Sequence, residues 1–215
     1  FIAILFVIVS MVIISFTPVE YINYIYFFSY LSLLIYPTFM TKKMKYSYMN
    51  FPHLVERMQL ITILTVGELV IAVIKTYPLA EHFLLSVSTF VMVGFLFVSY
   101  ISQTVIGIEH HQERAGWPLA YLHIGILIAI NIMTAGVEMY YDGQLLEMGS
   151  SMVLVGITLF YVCLFGTSRY NKEGLQMTKQ VALSYFTVYL IGTGLAVFFK
   201  NSVVLFFGIL AIQSV

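Results

Sequence analysis

Charge is the first scarcity. Only 9% of the 215 residues are Asp, Glu, Lys or Arg, where soluble domains carry about 25%. Ten bases balance ten acids, so the charge suggests no nucleic-acid partner. Cys163 is the only cysteine and sits in an apolar run, which excludes an internal disulfide and a cysteine metal cluster. There is no phosphate-binding Gly-x-x-x-x-Gly-Lys loop, no Gly-x-Gly-x-x-Gly and no Gly-x-Ser-x-Gly, so nucleotide hydrolysis and serine-hydrolase chemistry have no support. Long polar stretches are missing too, which leaves no room for a soluble domain between the apolar runs.

Hydrophobic residues make up 60% of the chain, and the mean hydropathy is +0.95. A membrane-spanning helix needs about 20 apolar residues. That ruler gives spans at roughly 1–17, 20–40, 53–76, 82–107, 117–140, 149–168 and 179–200, with 203–215 as the start of another. The fold class is therefore all-α: a polytopic transmembrane helix bundle of about 7–8 spans, forming one transmembrane domain over residues 1–215. Continuous apolar runs without alternation argue against a β-barrel. The chain opens inside an apolar run, without methionine, a basic start or a cleavage site, and ends as abruptly. The expectation is a piece of a longer protein whose missing N-terminal helices, or a partner subunit, complete it. Membrane lipids are the other expected partner, and a homo-oligomer is compatible with the pattern.

Lys and Arg orient the spans. One set of alternate loops holds Lys42, Lys43, Lys45, Arg114, Arg169, Lys172 and Lys179; the other holds only Lys75 and Lys200, beside Glu20, Glu81, Asp142 and Glu147. The first set, in loops 41–52, 109–117 and 169–180, is placed in the cytoplasm of a multi-pass cell-membrane protein. Tyr21, Tyr24, Tyr77, Trp117, Tyr140 and Tyr141 fall at span ends, as interfacial anchors do.

Two spans carry polar residues that lipid disfavours. The run His53 to Lys75 contains His53, Glu56, Arg57, Gln59 and Glu68. An ionisable group near the middle of an inserted helix costs roughly 2.5–3.5 kcal/mol on the insertion scale, so such groups must meet protein, water or each other. At about 100° per residue, His53, Arg57, Leu60, Leu64, Gly67, Glu68, Ile71 and Lys75 share one stripe, with Glu56 at its edge. The span after Trp117-Pro118 carries Tyr121, His123, Asn131, Thr134 and Glu138. His53 and Glu68 are 15 residues apart, as are His123 and Glu138, and each pair shares a face. Gly67 and Gly136 stand just before the glutamates, where small residues let another helix approach. The two helices run parallel and fit a structural repeat offset by 70 residues, although their flanking residues agree poorly.

The run HLVERMQLITILTVGEL resembles the signature of the bacterial low temperature requirement A family, a His-x-x-Glu-Arg segment leading into an apolar run that closes in Gly-Glu. The later AYLHIGILIAINIMTAGVE is similar to the family's second block, here Ala120, Tyr121, His123, Gly136 and Glu138. The family's usual opening, a Glu-Leu-Phe-Phe-Asp-Leu-Val-Phe-Val-like helix, has no match in this chain, which therefore resembles the C-terminal half or so, or a divergent member. The resemblance implies a polytopic bacterial plasma-membrane protein linked by name to growth in the cold. It implies no established reaction.

The candidate substrate- or ion-binding set is Glu68, His53, Glu56, Arg57, His123, Glu138, Tyr121 and Asn131. Glu68 and Glu138 can load protons or cations, or can be hydrogen-bonded carboxyls that fix packing. His53, Glu56 and Arg57 can form a cytoplasmic mouth, or simply a helix start in interfacial water. His123 fits a hydrogen bond to a neighbouring helix better than metal ligation. The loop residues Glu109, His110, His111, Glu113 and Arg114 lack the His-Glu-x-x-His spacing. No catalytic residue, metal ligand or cofactor is assigned. The leading functional expectation is a proton- or ion-coupled secondary transporter with Glu68 as coupling group. A membrane-embedded lipid-modifying enzyme and a non-catalytic membrane subunit or scaffold remain as alternatives.

Overall fold

A computed structural model describes residues 2–15, 17–18, 21–22, 24–25, 27–29, 31, 50–141 and 145–214. Glu20, Lys42, Lys43, Lys45, Asp142 and most of the span expected at 20–40 lie outside the described residues. The chain divides into two units, residues 1–49 and 50–215. In the first, α1 (Ile2–Ser15) is an apolar helix of 14 residues.

The second unit holds six helices: α2 (Phe51–Thr76), α3 (Phe83–Ile101), α4 (Trp117–Tyr141), α5 (Leu146–Gly166), α6 (Lys179–Phe198) and α7 (Val203–Gln213). No strand occurs among the described residues, as the all-α reading requires. Backbone groups in hydrocarbon have no water to bond, and helices satisfy them internally. The last six residues of the span Phe83–Gly107, Ser102–Gly107, wind as a π-helical turn after α3, and α5 ends in a 3-10 turn at Thr167–Tyr170. Among the described residues, five helices are long and apolar enough to cross a membrane: Phe51–Thr76, Phe83–Gly107, Trp117–Tyr141, Leu146–Tyr170 and Lys179–Phe198. Their bounds agree with the runs read from hydropathy to within a few residues, and α7 is a shorter apolar helix.

Local chemistry sets the ends. Asn50 caps α2 by accepting from the His53 N–H at 3.4 Å, and Pro52 occupies the first turn, where its missing N–H is harmless. Thr178 caps α6 by accepting from the Val181 N–H at 3.3 Å. Pro78 follows the end of α2. Two of the tyrosines expected as interfacial anchors point inward instead. Tyr77 is buried and donates to the Val137 carbonyl at 3.0 Å; burial, then Tyr140 and Tyr141, push its hydroxyl above the usual phenol range, so it stays a donor. Tyr140 is buried, stacks on Phe206 and donates to the Lys200 carbonyl. A phenol that finds a carbonyl inside the bundle has no need of the headgroup layer.

The tightest packing joins α4 to α5, and glycines permit it. A Cβ on Gly149 would stand 2.4 Å from Tyr140 N and 2.6 Å from its Cα; one on Gly136 would stand 2.8 Å from Val153 N. A Cβ on Gly156 would stand 2.9 Å from the Ala129 carbonyl oxygen. Without a hydrophobic force between helices in lipid, such backbone proximity is a main source of association. α2 packs on α3 and α4, α3 on α7, and α7 on α6. α6 remains mostly exposed to its surroundings.

The obstruction at Gly149 is backbone, which cannot swing aside. Gly149→Val is expected to lower stability by about 1–3 kcal/mol or more, whereas Gly94→Ala, with open space at its Cβ, leaves it unchanged or slightly higher. Reversible unfolding of the purified protein in mixed detergent micelles measures both.

Candidate functional site

The polar stripe of α2 faces outward. His53, Glu56, Arg57, Leu60, Leu64, Gly67, Glu68, Ile71 and Lys75 are all exposed, while Val55, Thr62, Leu69, Ala72 and Val73 on the other side are buried. His53 Nδ1 and Glu56 Oε2 lie 3.3 Å apart, an exposed pair at the helix start. Among the described residues, Arg57, Glu68 and Lys75 have no hydrogen-bond or ion-pair partner.

On α4 the predicted residues separate. His123 is fully buried. Tyr121 is half-buried. Asn131 is exposed and donates to the Leu127 carbonyl at 2.9 Å, one turn back along its own helix. Glu138 is exposed. The 60° between His123 and Glu138 is enough to carry the second from core to surface. Of the eight candidates, then, His53 and Glu56 are paired, and His123 alone lies inside.

Around His123 the structure assembles a polar centre that the sequence did not single out. Tyr100, Thr104, Thr62 and His123 are all fully buried where α2, α3 and α4 meet. The Tyr100 and His123 rings meet edge to face with centroids 5.9 Å apart. The Tyr100 hydroxyl lies near the side chains of Thr62 and Thr104, yet makes no hydrogen bond of proper geometry. Both threonines donate to their own helices, Thr62 to the Met58 carbonyl at 2.8 Å and Thr104 to the Tyr100 carbonyl at 2.9 Å. Gln59, one turn before Thr62, has a buried Nε2 that is also unpartnered. At ~1.5 Å per residue, Gln59, Tyr100 and His123 each lie roughly 9–12 Å along their helices from the end nearest loop 108–116. They therefore share a depth.

Hydrogen-bond bookkeeping gives this centre a chemical character. His123 Nδ1 lies 2.9 Å from the Leu119 carbonyl. That acceptor places the proton on Nδ1 and leaves Nε2 as a bare lone pair, buried and without a partner. His123 Nε2 is thus a buried acceptor without a partner, and the Tyr100 hydroxyl and the Gln59 amide are buried donors without partners. Buried polar groups are nearly always satisfied.

An apolar floor closes the centre on the loop side. Phe51, Val55, Ile108, Leu119 and Tyr170 form their own buried cluster at the same ends of the helices. A clasp holds it: Ile108 bridges Asn171, the Glu109 N–H donates to the Tyr170 carbonyl at 2.9 Å, and the Lys172 N–H donates to the Gly107 carbonyl at 2.9 Å. The Tyr170 hydroxyl donates to the Ala115 carbonyl at 2.7 Å. In the loop itself Glu109 Oε1 accepts from the His111 N–H at 3.1 Å. No group of three or more His, Cys, Asp or Glu among the described residues is placed to hold a metal ion.

A separate cavity of about 380 Å³ opens between α3, α5, α6 and α7, lined among others by Ser99, Gln103, Tyr161, Asn171, Tyr185 and Gln213. Its lining contains no carboxylate, imidazole or amine. Hydroxyls, amides and apolar walls suit a neutral amphiphile and supply no acid or base near neutral pH.

A family model described as bacterial low temperature requirement A protein (LtrA) matches residues 1–214. No curated protein and no solved structure matches the chain.

An orphaned hydroxyl contributes nothing to folding. Tyr100→Phe is therefore expected to leave stability unchanged or to raise it by about 1 kcal/mol. A loss larger than that in the same unfolding assay would mean that the hydroxyl is bonded to Thr62 or Thr104 in solution.

Proposed function

The chain belongs to the bacterial low temperature requirement A family, and from that premise we propose that this multi-pass membrane protein is a proton- or ion-coupled secondary transporter whose coupling group is His123. The observation that carries the reading is the buried imidazole whose Nε2 has no partner, its ring edge to face with that of Tyr100. An imidazole exchanges a proton near neutral pH more readily than any other unperturbed side chain. Held with one nitrogen on the Leu119 carbonyl, it presents a single basic site in a fixed direction. Intramembrane ionisable groups that face a bundle interior mark ion and substrate pathways more often than they mark simple packing.

In this reading the proton enters on Nε2, and the developing positive charge is met by dipoles of the neighbouring hydroxyls. The floor of Phe51, Val55, Ile108, Leu119 and Tyr170 is the closed gate on one side. With the basic loops 109–117 and 169–180 in the cytoplasm, that gate is the cytoplasmic one. The exposed position of Glu68 argues for His123 over Glu68 as the coupling group. The cavity beside α6 lacks acid–base groups and lends no support to a lipid-modifying enzyme.

His123→Asn keeps a donor toward Leu119 but cannot be protonated near neutral pH. In proteoliposomes carrying a pH gradient, it is expected to lose most proton-driven flux, while Glu68→Gln retains it. Full flux in His123→Asn would remove the imidazole from the coupling step.

A further inference from the structure

Where loop 108–116 meets the 3-10 turn Thr167–Tyr170, three hydrogen bonds strap one segment to the other. The Tyr170 hydroxyl donates to the Ala115 carbonyl at 2.7 Å, the Gln112 amide donates to the Tyr170 carbonyl at 3.1 Å, and the Arg114 guanidinium donates to the Arg169 carbonyl. The strap brings two bases together. Arg114 is held against the backbone of residue 169, and the Arg169 guanidinium lies 5.5 Å from the centre of the Tyr170 ring. Both charges are close enough to act on the Tyr170 hydroxyl. Like charges so held repel each other, so the fold concentrates positive charge here instead of dispersing it.

A pocket of about 350 Å³ opens over the pair, lined by Arg114, Gly166, Ser168, Arg169, Gln176 and Met177. Its lining contains no carboxylate. Among the described residues neither arginine forms an ion pair, and the Arg169 guanidinium, the Ser168 hydroxyl and the Gln176 amide donate to nothing. The carboxylates of the adjoining loops do not neutralise them: Glu109 accepts from the His111 N–H of its own loop, and Glu113 and Glu173 pair with no base. The two acids outside the described residues, Glu20 and Asp142, belong to the opposite set of loops. The chain therefore collects donors at this pocket and supplies no anion to receive them. Two planar forks beside a hydroxyl and an amide match an oxyanion with several acceptor oxygens, above all a phosphate.

Position favours one source of that phosphate. The pocket lies at the adjoining ends of the spans Trp117–Tyr141 and Leu146–Tyr170, the level at which lipid headgroups meet basic side chains. Met177 also lines the cavity of about 380 Å³ between α3, α5, α6 and α7. A phosphate on the arginines thus stands one side chain away from a largely apolar space that suits an acyl chain.

We propose that Arg114 and Arg169, with Ser168 and Gln176, form a binding site for a phosphate group, carried in the first instance by an anionic phospholipid. The site is independent of the His123 centre and of any transport step.

The test uses the full chain in neutral detergent, titrated with short-chain phosphatidylglycerol, short-chain phosphatidylcholine and inorganic phosphate. Binding is read from the fluorescence of Trp117, the only tryptophan, and from bound lipid counted by native mass spectrometry. Phosphatidylglycerol is expected to bind saturably and phosphatidylcholine much more weakly. Arg169→Gln removes no hydrogen bond from the fold and is expected to weaken phosphatidylglycerol binding about tenfold or more. The double variant Lys172→Gln/Lys179→Gln removes two positive charges from the same loop region and is expected to change it by no more than about twofold, as screened surface charges do. Displacement of the lipid by inorganic phosphate would place recognition in the phosphate alone; resistance to it would place recognition in the whole amphiphile, and either result keeps the site. Absence of saturable binding by both readouts, equal binding of the two lipids, unchanged binding in Arg169→Gln, or an equal loss in the lysine variant overturns the proposal.

Discussion

One constraint governs every polar side chain in this protein: inside hydrocarbon, a donor or acceptor must find a partner within the protein. Most of the chain meets it in the cheapest way. Thr62, Thr89, Thr104, Thr134, Thr158 and Thr187 each donate to the carbonyl four residues back on the same helix. Asn131 does the same from its amide and His123 from its ring. These bonds need no neighbouring helix, so they place no demand on the tertiary structure. What remains after this local accounting is informative. Inside, the remainder is the free edge of His123 with Tyr100 and Gln59, and the Gln213 Oε1 on α7; outside, it is the charged side of α2.

The close α4–α5 contact supports the interior remainder. Gly136, Gly149 and Gly156 bring two backbones into van der Waals contact, which fixes α4 and hence the depth and direction of His123. The Tyr77 and Tyr140 hydroxyls tie the opposite end of the bundle to backbone carbonyls of α4 and of Lys200, between α6 and α7. Rigid ends mean that the His123 edge is not satisfied by casual rearrangement. A proton or a small polar species that reaches it has to pass the aromatic floor or open a helix contact.

Helix type, and the bounds of the five spans among the described residues, were legible in the sequence, because hydropathy over about 20 residues reports a span directly. The polar spans were legible as well, since ionisable residues stand out against Leu, Ile and Val. Which way they face was not. Periodicity puts His53, Arg57, Gly67 and Glu68 on one stripe, but a stripe has no sign until the neighbouring helices are placed. In a soluble helix the apolar side is the buried side; here both sides of α2 are largely apolar, so composition does not choose between them. The buried face was chosen by Val55, Thr62, Leu69 and Ala72, residues small or branched enough for close packing on α3 and α4. His123 was found because an imidazole is rare in such a run. Tyr100, Thr104 and Thr62 were missed because Tyr and Thr are common in membrane helices and usually mean nothing. Their one signal was depth, a tyrosine well inside a span and far from any predicted interface.

The division of polar residues across α2 then follows from one geometrical fact. Gln59 and Thr62 point one way, and Arg57, Leu60 and Leu64 the other, within two turns of a single helix. A helix with both sides committed cannot rotate to relieve either: turning Glu68 into the bundle would carry Thr62 and Leu69 out of the packed core, and with them the wall that keeps His123 dry. Uncharged amide and hydroxyl groups tolerate the interior because local helix carbonyls absorb their donors. A guanidinium with five donors does not have that option, and a carboxylate has no nearby helix donor to use, because backbone N–H groups are already taken. The ionised residues are thus driven to the one face where partners can be brought from outside the unit, and the neutral ones are retained within it.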